Sequence, residues 1–515
     1  MRFNILIGGR AGQGINKVSQ IVSDILTKHG YFTFNYRDYP SLIRGGHNFN
    51  VLSISDKRVG SYESELDGII AMDEKTLLLH KNELKKNGFI IDFKEFENLG
   101  RNLNIALAGA LIKIFGIEKA ILVERIKQEF NNKEALDAAE KGFNKKEKKF
   151  ELKKLKNNIV RMSGSQGVAE GAVNSKIDLY LSYPMTPATA VMHELAAKQI
   201  ENNLVVFQPE NEIAVANAGL GASFAGAKTM IGSSGGGYDL MTEALSMQGI
   251  SEIPLVVYLA SRPGPGTGIP TYSTQADLDV ALRGGHGEFP RIVIAPGDPI
   301  ECIEKTNEAF YLSEKYGALS IILSDKHLAE SEFSTDRKPN KILNLEIKRK
   351  IPGEGIVKAS SYEHDEFGNT TEIPAIAKKN ADDRTKKYEK IKEESEKFQM
   401  IKTYGNKNAK NLIIGWGSTK TAILDAIDSI DESIENPSKG NWKFLQVLYM
   451  KPMSDEIKKE IEKADKVILI EQNVTGQLGR LIREKTGIKI KNRILKYDGK
   501  PFASDELKND LLKIK

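Results

Sequence analysis

The chain has 515 residues, 40% of them hydrophobic and 28% charged, which is the composition of a globular protein long enough for several domains. Its 74 Lys and Arg against 69 Asp and Glu leave a net charge of only +5, which argues against a nucleic-acid-binding surface. Cys302 is the only cysteine, so the chain alone supplies neither a disulfide framework nor an iron–sulfur cluster site. The sequence has no signal peptide and no membrane span, and we expect a cytoplasmic protein.

The first block, residues 1–140, has the pattern of an α/β domain. An apolar run at residues 3–7 predicts a strand. The glycines of residues 8–14 predict a turn after it, and the helical periodicity of residues 15–29 predicts a helix. The turn could bind an anion, but it matches neither the dinucleotide fingerprint nor a P-loop, and its glycines equally suit strand-to-helix packing. Residues 141–157 are rich in lysine, and we predict a solvated linker there.

The second block, residues 158–330, alternates apolar runs with Gly/Pro turns. This pattern predicts a mostly parallel sheet with helices on both faces. The predicted strands are 177–181, 205–206, 255–259, 292–294 and 319–323, and the predicted helices include 211–224 and 299–312.

The rest of the chain divides into two further blocks. We predict an irregular arm and an exposed charged helix in residues 331–408, and a small third α/β domain in residues 409–515. In this last block Ser454 is expected to cap a helix over residues 455–464.

Two loops of the second block follow predicted strands, at the sheet edge where α/β proteins bind ligands. The first, YPMTPAT, contains Pro184 and holds Thr186 at that edge, although it is equally consistent with a proline-initiated helix start. The second begins with Arg262, which is placed to grip a carboxylate in a forked ion pair.

An acidic pair precedes the Ala/Gly-rich helix of residues 211–224. We assign Glu210 to interaction with the helix dipole. Glu212 enters a helix of small residues, where burial would raise its pKa and let it share a proton with a ligand nitrogen.

Several of these motifs occur together in one family. YPMTPAT, QPENEIAVANAGLGASFAGA, SRPGPGTGIPTYSTQADL, HGEFPRIVIAPG, YEHDEFGN and VILIEQNVTGQLGRLI resemble the alpha subunit of 2-oxoacid:ferredoxin oxidoreductases, especially the 2-oxoglutarate branch. Residues 1–140 are similar to the gamma subunit, here fused in front of alpha. The resemblance implies a gamma-type α/β domain, a doubly wound thiamine-diphosphate-binding domain of the pyrimidine type, and a transketolase C-terminal-like domain.

The family oxidatively decarboxylates a 2-oxoacid with thiamine diphosphate, passes electrons to ferredoxin and forms an acyl-coenzyme A. By this resemblance Glu212 would hydrogen-bond the cofactor's aminopyrimidine, and Thr186 and Arg262 would bind the 2-oxoacid head group. Residues near the cofactor would be Pro184, Ser234, Gly235, Gly266 and Thr267.

The chain also lacks parts that this chemistry needs. It contains no Gly-Asp-Gly for the magnesium diphosphate, and one cysteine cannot ligate a cluster. The resemblance therefore implies that Mg²⁺ and a [4Fe-4S] cluster belong to a beta subunit. It also implies that the two chains form a heterodimer or a dimer of heterodimers, and that this chain is inactive without the beta subunit. We expect no metal ligand in this chain.

The sequence does not decide which 2-oxoacid is the substrate, and it leaves two other classes of protein as alternatives. Met185 and Ala188-Thr189 depart from the family pattern, as do Ser165 and Gln166, so a pyruvate or broad-range 2-oxoacid enzyme is the alternative to 2-oxoglutarate. The gamma-like block argues against an enzyme that passes acyl groups to lipoamide. The Gly-rich start is all that supports a non-catalytic dinucleotide-binding or scaffold protein.

Overall fold

The computed structural model describes residues 1–40, 46–130, 132–344, 350–355, 357, 360–431 and 440–514. These residues form three β-sheets with helices packed against them, so the predicted α/β class is confirmed. Among these residues, no helix combines the length and the apolar character needed to cross a bilayer.

The N-terminal part alternates strands and helices. Its elements are β1 (Arg2–Arg10), α1 (Ile15–Lys28), β2 (Phe32–Asp38), β3 (His47–Ser55), β4 (Leu66–Ala71), α2 (Glu74–His80), β5 (Leu84–Asp92), α3 (Leu103–Ile114), α4 (Lys119–Phe130) and α5 (Lys133–Lys145), with 3-10 turns at Lys81–Glu83 and Phe93–Asn102.

The predicted glycine turn at residues 8–14 is wrong in its first half. Gly8 and Gly9 lie inside β1, which pairs with β3 as far as Arg10. A Cβ at Gly8 would lie 2.6 Å from the Cγ2 atom of Thr76, and a Cβ at Gly9 would meet Gln13 Oε1 at the same distance. These glycines therefore allow close packing within the sheet layer.

The middle of the chain carries the long parallel sheet. Its elements are β6 (Val160–Ser163), α6 (Gly164–Asn174), β7 (Leu179–Ser182), α7 (Thr189–Lys198), β8 (Val205–Phe207), α8 (Glu212–Phe224), β9 (Thr229–Ser233), α9 (Gly235–Ser251), β10 (Leu255–Ser261), α10 (Leu278–Arg283), β11 (Arg291–Ile294), α11 (Pro299–Tyr316), β12 (Leu319–Asp325), α12 (Lys326–Glu330) and β13 (Glu332–Thr335).

The C-terminal part begins with the predicted charged helix, α13. Its elements are α13 (Pro374–Ser395), β14 (Ile401–Gly405), β15 (Asn411–Trp416), α14 (Thr419–Asp431), β16 (Trp442–Val447), β17 (Tyr449–Lys451), α15 (Glu456–Glu462), β18 (Lys466–Glu471), α16 (Gln477–Thr486), β19 (Asn492–Leu495) and α17 (Ser504–Lys513). The predicted capping by Ser454 needs correction, because α15 starts after Asp455; Ser454 still accepts a hydrogen bond from the Glu456 amide at 3.3 Å.

Two of the three sheets contain strands from different parts of the chain. The first has the order β5-β4-β1-β3-β2-β13-β6, the second β17-β11-β12-β10-β9-β7-β8, and the third β14-β16-β15-β18-β19. The first sheet thus takes in β6 and β13 from the middle of the chain, and the second takes in β17 from the C-terminal part. The structure assigns no helix or strand to residues 146–159, which include most of the predicted linker.

The second sheet is buried on both faces, as the sequence predicted. Its central pairs, β7 with β9, β9 with β10 and β10 with β12, are all parallel. Alternate residues of β10 belong to different buried clusters: Val256 and Tyr258 to one, Val257 and Leu259 to the other. All the carboxyl ends of these strands therefore meet at one edge, which carries the candidate site.

Candidate active site

The loops after β7, β9 and β10 bring the predicted site residues together. Thr186 lies in the loop after β7, Ser234 follows β9 directly, and Arg262 follows β10 directly. Because these three strands are parallel neighbours, their carboxyl ends open at the same edge of the sheet.

Glu212 is the buried acid at this edge. It is the first residue of α8, and its side chain is 4% exposed. Its Oε1 accepts no hydrogen bond from any residue that the structure describes. Gly237 of α9 faces it, since a Cβ at that glycine would lie 2.6 Å from Oε1. The predicted burial of Glu212 is confirmed.

Glu210 directly precedes the N-cap of α8, and its interaction with the helix dipole stays a prediction. The N-cap of α8 is Asn211, whose side chain accepts a hydrogen bond from the Ala214 amide at 2.9 Å. An amide oxygen at this position satisfies the free N–H groups of the first turn. Glu210 is exposed, which leaves it available as a matched comparison for Glu212.

Arg262 and Thr186 are in direct contact. Nη1 of Arg262 donates a hydrogen bond of 2.9 Å to the carbonyl oxygen of Thr186, across a separation of 76 residues. Partial burial lowers the pKa of Arg262, whereas the nearby carboxylates of Asp277 and Glu212 act in the opposite direction. The guanidinium is therefore a cation fixed between two loops, close to two acids.

The other predicted residues divide between the interior and the surface. Ser234 is fully buried, and its hydroxyl has no hydrogen-bond partner in the described part of the chain. Gly235 begins α9. Gly266 and Thr267 are exposed, as is Pro184 in the loop that holds Thr186.

Asp277 is a site residue that the sequence reasoning missed. Its Oδ2 and Oδ1 atoms would lie 2.6 and 2.8 Å from a Cβ at Gly235, so the carboxyl lies against the start of α9. Burial raises the pKa of Asp277 to about 6; the neighbouring Ser261 hydroxyl and the charge of Arg262 lower it, and Asp239 raises it. Oδ2 is buried and has no hydrogen-bond partner among the described residues. The available signal was the TQADL stretch, an acid entering a helix after a Gly/Pro loop.

Several buried polar atoms of residues at this edge have no hydrogen-bond partner in the described part of the chain: Glu212 Oε1, Ser234 Oγ, Ser261 Oγ and Asp277 Oδ2. Buried polar atoms are normally hydrogen-bonded, and leaving one without a partner costs roughly 1 to 3 kcal/mol. Such a group is typical of a site that a polar ligand completes. Within the described ranges, no group of three or more His, Cys, Asp or Glu side chains is arranged to hold a metal ion.

Comparison with known proteins covers the whole chain. Residues 170–400 match the family model "Pyruvate flavodoxin/ferredoxin oxidoreductase, thiamine diP-bdg", and residues 4–97 match "Pyruvate ferredoxin/flavodoxin oxidoreductase". A 2-oxoacid:ferredoxin oxidoreductase subunit alpha from a Sulfolobus species is 28% identical over 626 residues, which covers 100% of this chain and 97% of the relative. The chain belongs to the 2-oxoacid:ferredoxin oxidoreductase family.

A solved structure extends this likeness to three dimensions. The 2-oxoglutarate:ferredoxin oxidoreductase from Magnetococcus marinus, with 2-oxoglutarate, coenzyme A and succinyl-CoA bound, is 26% identical and superposes with a TM-score of 0.89 over 99% of both chains. The 2-oxoglutarate synthase subunit KorA from Archaeoglobus fulgidus is 36% identical over 173 residues, 33% of this chain and 50% of that one.

These matches confirm the family and the enzyme class predicted from the motifs. The chain is an alpha subunit of a multi-subunit oxidoreductase of the EC 1.2.7 type. The alpha subunit from the Sulfolobus species aligns along this whole chain, so it also has a counterpart of the N-terminal part that precedes residue 140.

Proposed function

We propose that this alpha subunit forms the pyrimidine side of a thiamine diphosphate site and that its complex oxidises 2-oxoglutarate. The buried Oε1 of Glu212, without a hydrogen-bond partner in the described structure, is the observation that carries the proposal. A ring nitrogen of an aminopyrimidine needs one such acceptor in a site of low dielectric. Bound thiamine diphosphate supplies the electron sink for decarboxylation of a 2-oxoacid.

Glu212 would exchange a proton with that ring nitrogen. Its carboxylate lies against Gly237, and the absence of a side chain there leaves room for the acid at the start of α9. Ser234, which precedes α9, offers a second buried polar group without a hydrogen-bond partner in the described structure. Around this pair, the proposed walls of the site are Pro184, Gly235, Gly266 and Thr267.

Arg262 would bind the carboxylate of the 2-oxoacid. A guanidinium has five N–H donors, and the bond to the Thr186 carbonyl uses one of them. The remaining donors suit a carboxylate, which accepts two parallel hydrogen bonds from such a planar group. Thr186 therefore has a positioning role through its backbone, in addition to the head-group contact predicted for it.

The surface around this edge supports a partner subunit. Several large apolar side chains close to the site in sequence are exposed by 37% or more: Tyr183, Phe207, Ile213, Leu240 and Ile269. Exposed apolar side chains around a ligand site are typical of a protein interface. We propose that it contacts a beta subunit that holds Mg²⁺, the diphosphate and a [4Fe-4S] cluster, in a heterodimer or a dimer of heterodimers that reduces ferredoxin and uses coenzyme A.

Two relatives support the choice of substrate. The Magnetococcus marinus enzyme has 2-oxoglutarate bound, and the Archaeoglobus fulgidus relative is named 2-oxoglutarate synthase. The pyruvate or broad-range alternative is supported by the names of the two family models. A substrate panel distinguishes them, because a pocket built for a second carboxylate discriminates strongly against a substrate that lacks it.

The test is a pair of substitutions in the chain co-expressed with its beta subunit. Glu212→Gln should lower coenzyme A-dependent reduction of ferredoxin by 2-oxoglutarate by roughly 100- to 10,000-fold, because the amide cannot exchange the proton. Glu210→Gln is the matched control, since Glu210 is exposed and lies two residues away. Size-exclusion chromatography should show the same assembly for all three complexes.

Two outcomes would contradict the proposal. Near-normal turnover by the Glu212→Gln complex would remove the proton role from this residue. Tight binding of thiamine diphosphate and oxidation of a 2-oxoacid by the chain without its partner would refute the shared site.

A further inference from the structure

A cavity of about 440 Å³ lies where the N-terminal, middle and C-terminal parts of the chain meet. Its walls come from the loop after β3, the first turn of α11, β13 with the residue Arg337 beyond it, β14, and the first turns of α14. The volume is in the range of small-molecule sites. The lining contains none of the residues placed above in the candidate active site.

Part of the cavity wall is apolar. Val59, Ile300 and Phe333 line it and are each less than 7% exposed, and Leu424 lines it from α14. An apolar wall with a few polar groups is typical of a site that binds a small organic molecule.

The rest of the wall is charged, and its cations outnumber its acids. Four cationic side chains line the described cavity, namely Arg58, Arg337, Lys402 and Lys420, against the three carboxylates of Asp298, Asp425 and Asp428. The buried Nζ of Lys420 contacts both Asp298 Oδ2 and Glu301 Oε1 at 2.5 Å. Arg337 donates to the same Asp298 oxygen at 2.7 Å. These two cations are therefore compensated within the protein.

Lys402 on β14 is the cation that lacks a close counter-charge. Its shortest ion pair in the described structure is 4.0 Å, to Glu301 Oε1, an oxygen that Lys420 already contacts. Its side chain is only 24% exposed, and Tyr404 lies beside it with the ring centroid 5.3 Å from Nζ. Burial and the charges of Lys420 and Arg337 lower the pKa of Lys402. An anion in the cavity would compensate this ammonium group.

Two other features of the wall favour an anion with several acceptor oxygens. The start of α14, a helix of 13 residues, borders the cavity through Lys420 and Thr421, and a helix N-terminus attracts negative charge. Thr421 is 8% exposed, and its hydroxyl has no hydrogen-bond partner among the described residues. From the N-terminal part, Arg58 binds Asp336 at 2.8 Å and has further N–H donors left.

We propose that this cavity binds a phosphate monoester with a small apolar body, and that Lys402 and Arg58 contact its phosphate. Cations from β14 and from the loop after β3 reach the cavity from different directions, which suits a tetrahedral phosphate better than a planar carboxylate. The apolar wall would hold the organic body. This site goes beyond the proposed function and does not depend on it.

The test measures binding to the complex of this chain with its beta subunit. The complex is saturated with thiamine diphosphate and Mg²⁺ and kept at constant ionic strength, and the probes are phenyl phosphate, inorganic phosphate and phenol. Phenyl phosphate should raise the apparent Tm, because it binds the folded state in contact with all three parts. By calorimetry it should bind at least about fivefold more tightly than inorganic phosphate, and phenol should not bind measurably. Coenzyme A should leave its Kd unchanged.

Three variants assign the binding to the cavity. Lys402→Gln should raise the Kd for phenyl phosphate by roughly 10- to 100-fold, because a hydrogen bond to a charged group is lost. Arg58→Gln should raise it by at least about threefold, a smaller effect because this side chain is 61% exposed. Lys407→Gln is the matched control, since Lys407 follows β14, is exposed and does not line the cavity. Its Kd should stay within about twofold of the wild type.

Four results would overturn the proposal: no binding of either phosphate, the same Kd in Lys402→Gln as in the wild type, an equal loss in Lys407→Gln, or displacement of phenyl phosphate by coenzyme A. Equal affinity for inorganic and phenyl phosphate would refute the role given to the apolar wall. None of these measurements requires turnover. A complex that binds phenyl phosphate but oxidises no 2-oxoacid would therefore refute the proposed function alone.

Discussion

Replacing Asp277 with asparagine should stabilise the folded chain. Burial raises the pKa of this carboxyl from 3.8 to about 6, so the folded protein ionises it less readily than the unfolded chain does. Stability from such a group is present at low pH and is lost as the pH rises through 6. At pH 7.5 the buried charge costs about 3 kcal/mol, from about two pKa units at 1.36 kcal/mol each.

The size of the gain should depend on pH. At pH 7.5 the neutral amide of Asp277→Asn avoids the whole cost, which gives a gain of about 3 kcal/mol. At pH 5 the folded protein already keeps the carboxyl protonated, and the gain falls to roughly half of that. The stability difference between the variant and the wild type should therefore be about 1 to 2 kcal/mol larger at pH 7.5 than at pH 5.

The assay is thermal and urea unfolding of the full chain at the two pH values. Asp279→Asn serves as the control, because its partly exposed ion pair with Arg480 contributes less than about 1 kcal/mol. The apparent midpoint of Asp277→Asn should lie above that of the wild type at both pH values, with the larger difference at pH 7.5. A variant that is less stable at both values, with no dependence on pH, would show that the carboxylate is satisfied in the fold, and it would refute the reasoning.

Two further substitutions test the geometry around Glu212 and Arg262. Gly237→Ala should destabilise the chain by about 1 to 3 kcal/mol and lower turnover, because its Cβ would lie 2.1 Å from Ser233 Oγ and 2.6 Å from Glu212 Oε1. Gly221→Ala in α8 is its control, with no heavy atom within 4 Å of the added Cβ, and an equal loss there would contradict the steric argument. Arg262→Ala should raise KM and lower kcat/KM by roughly 2 to 4 kcal/mol, measured with 2-oxoglutarate; an unchanged KM would assign Arg262 a structural role.

Much of the second sheet could be predicted from local patterns. The strand predicted at residues 319–323 is β12, Leu319–Asp325, and the helix predicted at 299–312 is α11, Pro299–Tyr316. Both elements have strong local signals: a continuous apolar run for the buried strand, and Asp298 followed by Pro299 for the helix start. The burial of Glu212 was predictable for the same reason, since it enters a helix of small residues.

The pairing of strands from distant parts of the chain in one sheet was not predictable from local patterns. The short strand β13 pairs with β2, which lies about 300 residues earlier, through Phe333 and Phe34 among others. Its four residues have no periodicity that distinguishes this pairing from another. The division into domains at residues 140, 330 and 408 stays a prediction, and strands on either side of all three positions pair with each other.

The burial of the Asp277 carboxyl in the active site was likewise not predictable from local sequence patterns. The TQADL stretch indicates an acid at the start of a helix but not that its carboxyl is buried, because the segment is held by Gln472, 197 residues beyond the Gln275 that it contacts. A buried carboxyl with an unpartnered oxygen is costly, and that cost is accepted in proteins mainly where a group serves function. The C-terminal part of this alpha subunit therefore does more than complete the fold. By holding residues 275–277 it places the carboxyl of Asp277 against Gly235, and a change far from the catalytic edge, such as Gln477→Ala, which removes the side-chain donor to the Ala276 carbonyl, should displace that carboxyl.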